Sequence, residues 1–139
     1  MAYDPNNIFA KILRDEAPAI KVFENEHTLA FMDIMPQVDG HTLVIPKAPA
    51  EDVHDLDPDI LAETIRTTQL VAGAVKQAFE APGIMLAQLS GAAAGQTVFH
   101  LHFHILPRHA GLEFKLHARD VEDMTKLQGF ADRIRAHLP

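Results

Sequence analysis

The chain contains no cysteine. Disulfides, thiolate catalysis and cysteine-held zinc are excluded on that ground alone. No apolar stretch approaches the ~20 residues that a membrane-spanning helix needs, so no membrane partner is expected. Positive charge is scarce, with 12 Lys and Arg against 19 Asp and Glu and a formal net charge of −7. That balance gives no long-range attraction to DNA or RNA, and no nucleic-acid partner is expected. A small nucleotide stays compatible with a local patch. Met1 to Asn7 is polar and has no basic segment leading into an apolar run, so no signal peptide is expected and the cytoplasm is the expected location. Repeats, low-complexity stretches and linkers are also missing. The 139 residues are therefore read as one domain, 1–139, long enough for a sizeable core.

What is present is a clear alternation of short elements. Asp4-Pro5 ahead of Ile8, Phe9, Ile12 and Leu13 predicts a short capped helix with an apolar stripe. Ala19 to Glu24 and Thr28 to Ile34 are β-rich and flank Asn25-Glu26-His27, which predicts a hairpin. His41 to Ile45 predicts a strand ended by Pro46. Asp57-Pro58 opens the longest helical pattern, in which Ile60, Leu61, Thr64, Ile65, Thr68, Val71, Ala72 and Val75 recur until Pro82-Gly83. Ile84 to Leu89 predicts a further strand, Ser90 to Gly95 a small-residue loop, and Val98 to Leu106 a strand. A last helix is expected over 121–138, with Val121, Met124, Ile134 and Leu138 facing inwards and Gly129 weakening its middle. The fold class is α+β: an antiparallel sheet of about five strands with a long central helix and a C-terminal helix.

The most unusual feature is His100-Leu101-His102-Phe103-His104, three histidines at every second residue. On a strand their imidazoles would share one face while Leu101, Phe103 and Ile105 share the buried one. Such a row has three uses. A metal ion is one, but residues two apart lie about 6.7 Å apart along a strand and the outer pair about 13 Å. A single ion would therefore need a carboxylate or histidine from elsewhere. Nucleophilic catalysis is the second, with one neutral imidazole attacking phosphorus or a carbonyl while its neighbours orient it and donate protons. The upstream run Gly91 to Thr97 supports this use, because small residues let backbone amides approach a phosphate and Gln96 and Thr97 add donors. The third is a merely solvated strand face.

Gly95-Gln96-Thr97-Val98-Phe99-His100-Leu101-His102-Phe103-His104-Ile105-Leu106 resembles the signature of the histidine triad (HIT) superfamily. A second block agrees, Phe31 to Gln37 followed by Gly40-His41-Thr42-Leu43-Val44-Ile45-Pro46-Lys47, which is similar to the family's nucleoside-binding half. The resemblance covers nearly the whole chain and implies specific roles. His102 would attack the α-phosphate of a nucleotide and become a nucleotidyl-histidine. His104 would contact the phosphate, and His100 would help orient the nucleophile with His41 nearby. Gln96 and Thr97 would contact phosphate or leaving group, beside the Gly95 loop. Asp33 would accept from the ribose hydroxyls, and Ile34, Phe9 and Ile8 would line the base pocket.

The resemblance also implies a homodimer acting on a small purine nucleotide, with no cofactor. The nucleotidyl transferases of the superfamily carry glutamine at the third triad position, so His104 implies hydrolysis. The substrate would be a nucleoside phosphoramidate, a nucleotidyl adduct or a dinucleoside polyphosphate, and the product a nucleoside monophosphate. The alternative is a nucleotide-binding regulatory module with little turnover. Many bacterial-type members hold a structural zinc with Cys-x-x-Cys and a histidine after the Pro-Lys pair. Here those places read Asn7-Ile8-Phe9-Ala10 and Pro46-Lys47-Ala48-Pro49, so no such metal is expected. Leu89 stands where related hydrolases often place asparagine or glutamine. His27, His54, His109, His117 and His137 are expected at surface or turn positions, Arg108 in a solvated loop, Glu51-Asp52 at a helix start, and Met32 and Met35 in packing roles.

Overall fold

A computed structural model describes residues 3–111 and 120–139. His117 lies outside the described residues. The elements run α1 (Ile8–Leu13), β1 (Lys21–Glu24), β2 (Thr28–Met32), β3 (Thr42–Pro46), α2 (Pro58–Ala78), β4 (Gly83–Gln88), a 3-10 turn (Ala92–Ala94), β5 (Phe103–Arg108) and α3 (Met124–Arg135). The five strands form one antiparallel sheet in the order β1-β2-β3-β5-β4. This is the α+β class that the alternation of elements implied.

Local chemistry accounts for most boundaries. The β1–β2 turn closes on Asn25, whose Oδ1 accepts from the His27 and Thr28 amides at 3.0 and 2.8 Å and from Thr28 Oγ1 at 2.8 Å. Asp57 caps α2 by accepting from the Asp59 amide at 2.8 Å, with Pro58 in the first turn, where its missing N–H costs nothing. The cap of α1 is Asn7, which accepts from the Ala10 amide at 2.9 Å, rather than the expected Asp4-Pro5. Asp4 instead shapes the turn before it, its carbonyl accepting from the Asn7 amide and side chain. α2 stops before Pro82-Gly83, because Glu80 adopts a left-handed φ of 49°.

The sheet is covered on both faces. One face packs Val22, Ala30, Met32, Val44, Phe103 and Ile105 against Val71 and Val75 of α2 and Leu127, Ala131 and Ile134 of α3. The other packs Leu29, Phe31, Leu43 and Ile45 against Phe9 and Ile12 of α1. Opposed residues of an antiparallel pair share a face, so the pairing of His104 with Leu43 puts His104 on the α1 side.

Some expectations are corrected. Ile65 of α2 is exposed although it fits the helical spacing. Val121 and Met124 are also exposed, because α3 begins only at Met124 and its inner face is Leu127, Ala131 and Ile134. Ile134 is buried and Leu138 partly so, as expected. Residues 51–56 form turns rather than a helix start, with Asp52 and Asp55 accepting from the His54 and Glu51 amides. Arg108 is the last residue of β5, opposite Gly83, and not part of a loop.

The largest correction concerns the histidine strand, which begins at Phe103 and not at Val98. Extending the β3–β5 register would place Leu101 opposite Pro46, which has no N–H to donate. The Leu101 amide turns instead to the Ala50 carbonyl at 2.8 Å, and the Pro46 carbonyl accepts from His100 Nε2 at 2.8 Å. His104 is therefore on the strand, while His100 and His102 lie on the irregular segment that leads into it.

Candidate active site

Leaving the strand does not scatter the histidines. The His102 and His104 ring centroids are 4.9 Å apart, and those of His41 and His104 5.1 Å. Phe9 meets His102 edge-on at 5.0 Å and 88°, and it is itself backed by Phe31. Leu101, Phe103 and Ile105 are buried, but so are His100 and His102. Leu101 packs with Ala50 and Leu56 while Phe103 and Ile105 pack with α2 and α3, so the expected single apolar face does not extend to Leu101.

The backbone partners fix where each proton sits. The His100 carbonyl lies 2.7 Å from His102 Nδ1 and accepts its hydrogen, which leaves the lone pair of His102 on Nε2. The Gln37 amide donates to His41 Nδ1 at 3.1 Å, so His41 carries its hydrogen on Nε2. That hydrogen points at His104 Nδ1, 2.9 Å away, and His104 in turn carries its own on Nε2. His100 donates from Nε2 to Pro46, and its Nδ1 accepts from the Tyr3 hydroxyl at 2.5 Å. The result is a lone pair on His102 Nε2 and an N–H on His104 Nε2.

Burial keeps these rings uncharged. It lowers His41 to a pKa of about 3, with His104 and His102 adding to the effect. It lowers His104 to about 4, reinforced by His102, and His100 to about 4. His102 moves in the same direction for the same reason. Burial raises Asp33 to about 6, against the Met35 amide that donates to its Oδ1 at 2.8 Å. At pH 7 the rings are neutral and Asp33 is mostly carboxylate, so the 3.4 Å approach of Asp33 Oδ2 to His41 Nδ1 is not an ion pair. Asp33, His41 and His104 each offer one ligand atom within 4.8 Å of the others. The carboxylate and second histidine that a single ion would need do converge here, but on His104 alone of the triad.

The expected roles fall into groups. His41 adjoins His104 rather than His100, and His100 fixes the His102 tautomer through its carbonyl. The Gln96 side chain is buried and fully engaged: its Oε1 accepts from the Gly91 amide at 2.7 Å, and its Nε2 donates to the carbonyls of Glu51 at 2.7 Å and Val98 at 3.0 Å. Its geometry is that of a loop clamp. The amides of Ala94, Gly95 and Gln96 are likewise turned inwards, onto the Ala92 and Gly91 carbonyls, so they are not free for an anion. Thr97 is exposed. Gly95 is left-handed, φ 106°, and a Cβ there would sit 3.3 Å from Leu89 Cδ1. Ile8 and Ile34 are exposed apolar side chains, whereas Phe9 is buried behind His102.

Asn7 is used as a helix cap, and the side chains of Ala10 and Pro49 carry no ligand atom. The residues present do not fit the family's structural zinc. Two contributors escaped the sequence reading. The Gln37 amide is main chain and leaves no residue-type signal. Tyr3 could have been noticed as the chain's single tyrosine, just ahead of the first helix.

A file of neutral histidines with fixed tautomers, set against a five-stranded antiparallel sheet, defines a class of small α+β proteins built around a histidine cluster. Residues 14–111 match the family model of the HIT domain. Protein hit of Bacillus subtilis is 40% identical over 120 residues, 83% of this chain and 83% of that protein. Adenylylsulfatase HINT3 of Arabidopsis thaliana is 36% identical over 101 residues, 73% of this chain and 51% of that protein. A solved Hit-like protein involved in cell-cycle regulation from Bartonella henselae has a TM-score of 0.93 at 48% identity, covering 99% of this chain and 100% of that one. The chain belongs to the histidine triad family, a superfamily of nucleotide-binding proteins and hydrolases.

Proposed function

We propose that the protein is a nucleotide hydrolase acting at the α-phosphate through a nucleotidyl-histidine at His102. The observation that carries this reading is the His100 carbonyl on His102 Nδ1, which leaves a neutral imidazole with its lone pair on Nε2. In the first step a P–N bond forms to His102 Nε2 and the P–N or P–O bond to the leaving group breaks, its electron pair departing with that group. The His104 Nε2–H donates a hydrogen bond to the departing atom or to a phosphate oxygen. The departing group takes up a proton from solvent. Water then adds its oxygen to phosphorus as the P–N bond to His102 breaks and gives its proton to solvent, releasing a nucleoside monophosphate and restoring the imidazole. Asp33 accepts from the ribose hydroxyls, Ile8 and Ile34 take the base, Thr97 meets the phosphate at the Gly95 loop, and Gln96 holds that loop. The reading needs neither cofactor nor metal. Substrates of the nucleoside phosphoramidate, nucleotidyl adduct or dinucleoside polyphosphate type all present the required α-phosphate, and the cytoplasm is the location this reading proposes.

The same reading includes a homodimer. β4 is an edge strand, and Leu86 on it is 51% exposed. Light scattering on the purified chain reports its mass directly. A second reading, nucleotide binding with little turnover, draws on Leu89, which sets an apolar group against the Gly95 loop.

The deciding experiment incubates wild type and His102→Ala with adenosine phosphoramidate and with diadenosine tetraphosphate, and follows the nucleotidyl-histidine by mass. Turnover in wild type with a loss of at least about a thousandfold in the variant is expected. Undiminished turnover in His102→Ala removes the nucleophile assignment. Thermal stabilisation by adenosine monophosphate without turnover in wild type favours the binding module.

A further inference from the structure

His100 is the triad member whose ring takes no part in the chemistry above, yet its surroundings are the most completely specified. The ring is fully buried and both nitrogens are engaged. A hydrogen on Nε2 goes to the Pro46 carbonyl, which obliges Nδ1 to accept. The donor to Nδ1 is the Tyr3 hydroxyl, and the two rings meet edge-on at 5.6 Å and 70°. These partners admit one tautomer and one ring orientation.

The main chain of the same residue holds the nucleophile. The peptide plane between His100 and Leu101 is tied at both edges: its carbonyl accepts from His102 Nδ1, and its N–H donates to Ala50. Ring and plane meet at the His100 Cα, so a ring held at both nitrogens also holds the near end of that plane. Tyr3 is itself delivered by an anchored segment. The Asp4 carbonyl accepts from Asn7, Asp4 Oδ1 accepts from the Asn6 amide at 2.9 Å, and Arg14 Nη1 donates to the Pro5 carbonyl at 2.8 Å. A side chain from the first turn of the chain thus reaches the residue that aims His102.

We propose that Tyr3 is a positioning residue for the nucleophile, its hydroxyl fixing the His100 ring and, through the His100 carbonyl, the tautomer and aim of His102. Its kinetic consequence rests on the hydrolase reading; its geometric consequence does not. Removing the hydroxyl while keeping the ring leaves His100 Nδ1 without its donor in a buried place. The ring then keeps only its Pro46 anchor, and the carbonyl that orients His102 loses part of what fixes its near end.

The test is Tyr3→Phe in the full chain, with two readouts. Ring-nitrogen NMR at neutral pH reports tautomers whether or not the protein turns over substrate. In wild type His100 should show hydrogen on Nε2 and His102 on Nδ1. In the variant the His100 Nδ1 signal should move away from its hydrogen-bonded position, towards that of a free unprotonated ring nitrogen, and the His102 ring signals should shift with it. With adenosine phosphoramidate, kcat should fall about tenfold with KM within about twofold, as for an interaction that matters at the transition state. The acid limb of kcat should move to higher pH, because Nδ1 becomes free to take a proton. Unchanged His100 and His102 spectra overturn the proposal regardless of activity. So does an unchanged kcat in a variant whose His100 spectrum has moved. A wild type that forms no nucleotidyl-histidine overturns the hydrolase reading instead, and the spectra still decide the role of Tyr3.

Discussion

Substituting Gln96 by alanine separates two roles that a phosphate-site glutamine can have. In the structure its amide makes three hydrogen bonds to main chain, to the Gly91 amide and to the Glu51 and Val98 carbonyls, and none points outwards. Each buried bond of this kind contributes about 1 kcal/mol net, more when its partner is left unsatisfied, so Gln96→Ala should cost about 3 kcal/mol. For a domain of this size that corresponds to a drop of about 10 °C in Tm. Gln96→Glu is the sharper variant. It keeps the acceptor for Gly91 but sets a buried carboxylate oxygen against the Glu51 and Val98 carbonyls in place of both donations, so its loss should exceed that of Gln96→Ala. Urea denaturation of the three proteins, read by midpoint at constant slope, measures these differences. A clamp also predicts that activity per folded molecule falls because the loop loosens, with KM rising. If both variants keep the wild-type midpoint while turnover drops, the side chain acts on the substrate and the clamp argument is wrong.

Two further outcomes follow from geometry already described. His41, His104 and His100 have folded pKa values of about 3, 4 and 4, below the ordinary 6.5, so the unfolded chain takes up protons first as pH falls. Stability is therefore lost below pH 6.5, and Asp33, raised to about 6, opposes only part of the loss. Between pH 6.5 and 5 the decline should be on the order of 3 kcal/mol by linkage, and a flat denaturation midpoint across that window would contradict the neutral-histidine description. Gly40 has a φ of 90°, and a Cβ there would meet Phe79 at 2.8 Å and Pro107 at 2.9 Å. Gly40→Ala should cost about 3 kcal/mol in thermal or chemical unfolding and reduce turnover, because the turn directly precedes His41. A wild-type melting curve would show that the turn yields more easily than its packing implies.

The sequence was most readable where one residue type decides the local structure. Asn25 closing a hairpin and Asp57-Pro58 opening a helix are chemistry within four residues, and both stand in the fold as expected. Periodicity served α2 well in its middle, where Val71, Ala72 and Val75 are buried, and less well at Ile65, since spacing marks a stripe but not its width. The strand through the histidines failed for a distant reason: whether Val98 to His102 can pair depends on Pro46, and the register that brings them together is a tertiary fact. The loop before the triad was read as open to an anion because its residues are small. Several of its amides and the Gln96 side chain are instead spent on the loop itself. The resemblance sets His41 beside His100, whereas the fold pairs it with His104.

The partners that set the four tautomers differ in a way that bears on how the chain tolerates substitution. Those on His102, on His41 and on the Nε2 side of His100 are a carbonyl of position 100, an amide of position 37 and a carbonyl of position 46. Main-chain groups survive nearly every amino-acid replacement at their own positions; at position 37, proline alone deletes the donor. Proton placement in the cluster is thus written into the path of the backbone and sheltered from most single-codon changes. The side-chain partners are the His41 ring on His104 and the hydroxyl of Tyr3 on His100. Variation at position 3 is consequently the shortest mutational route to an altered histidine row in which every histidine is still present.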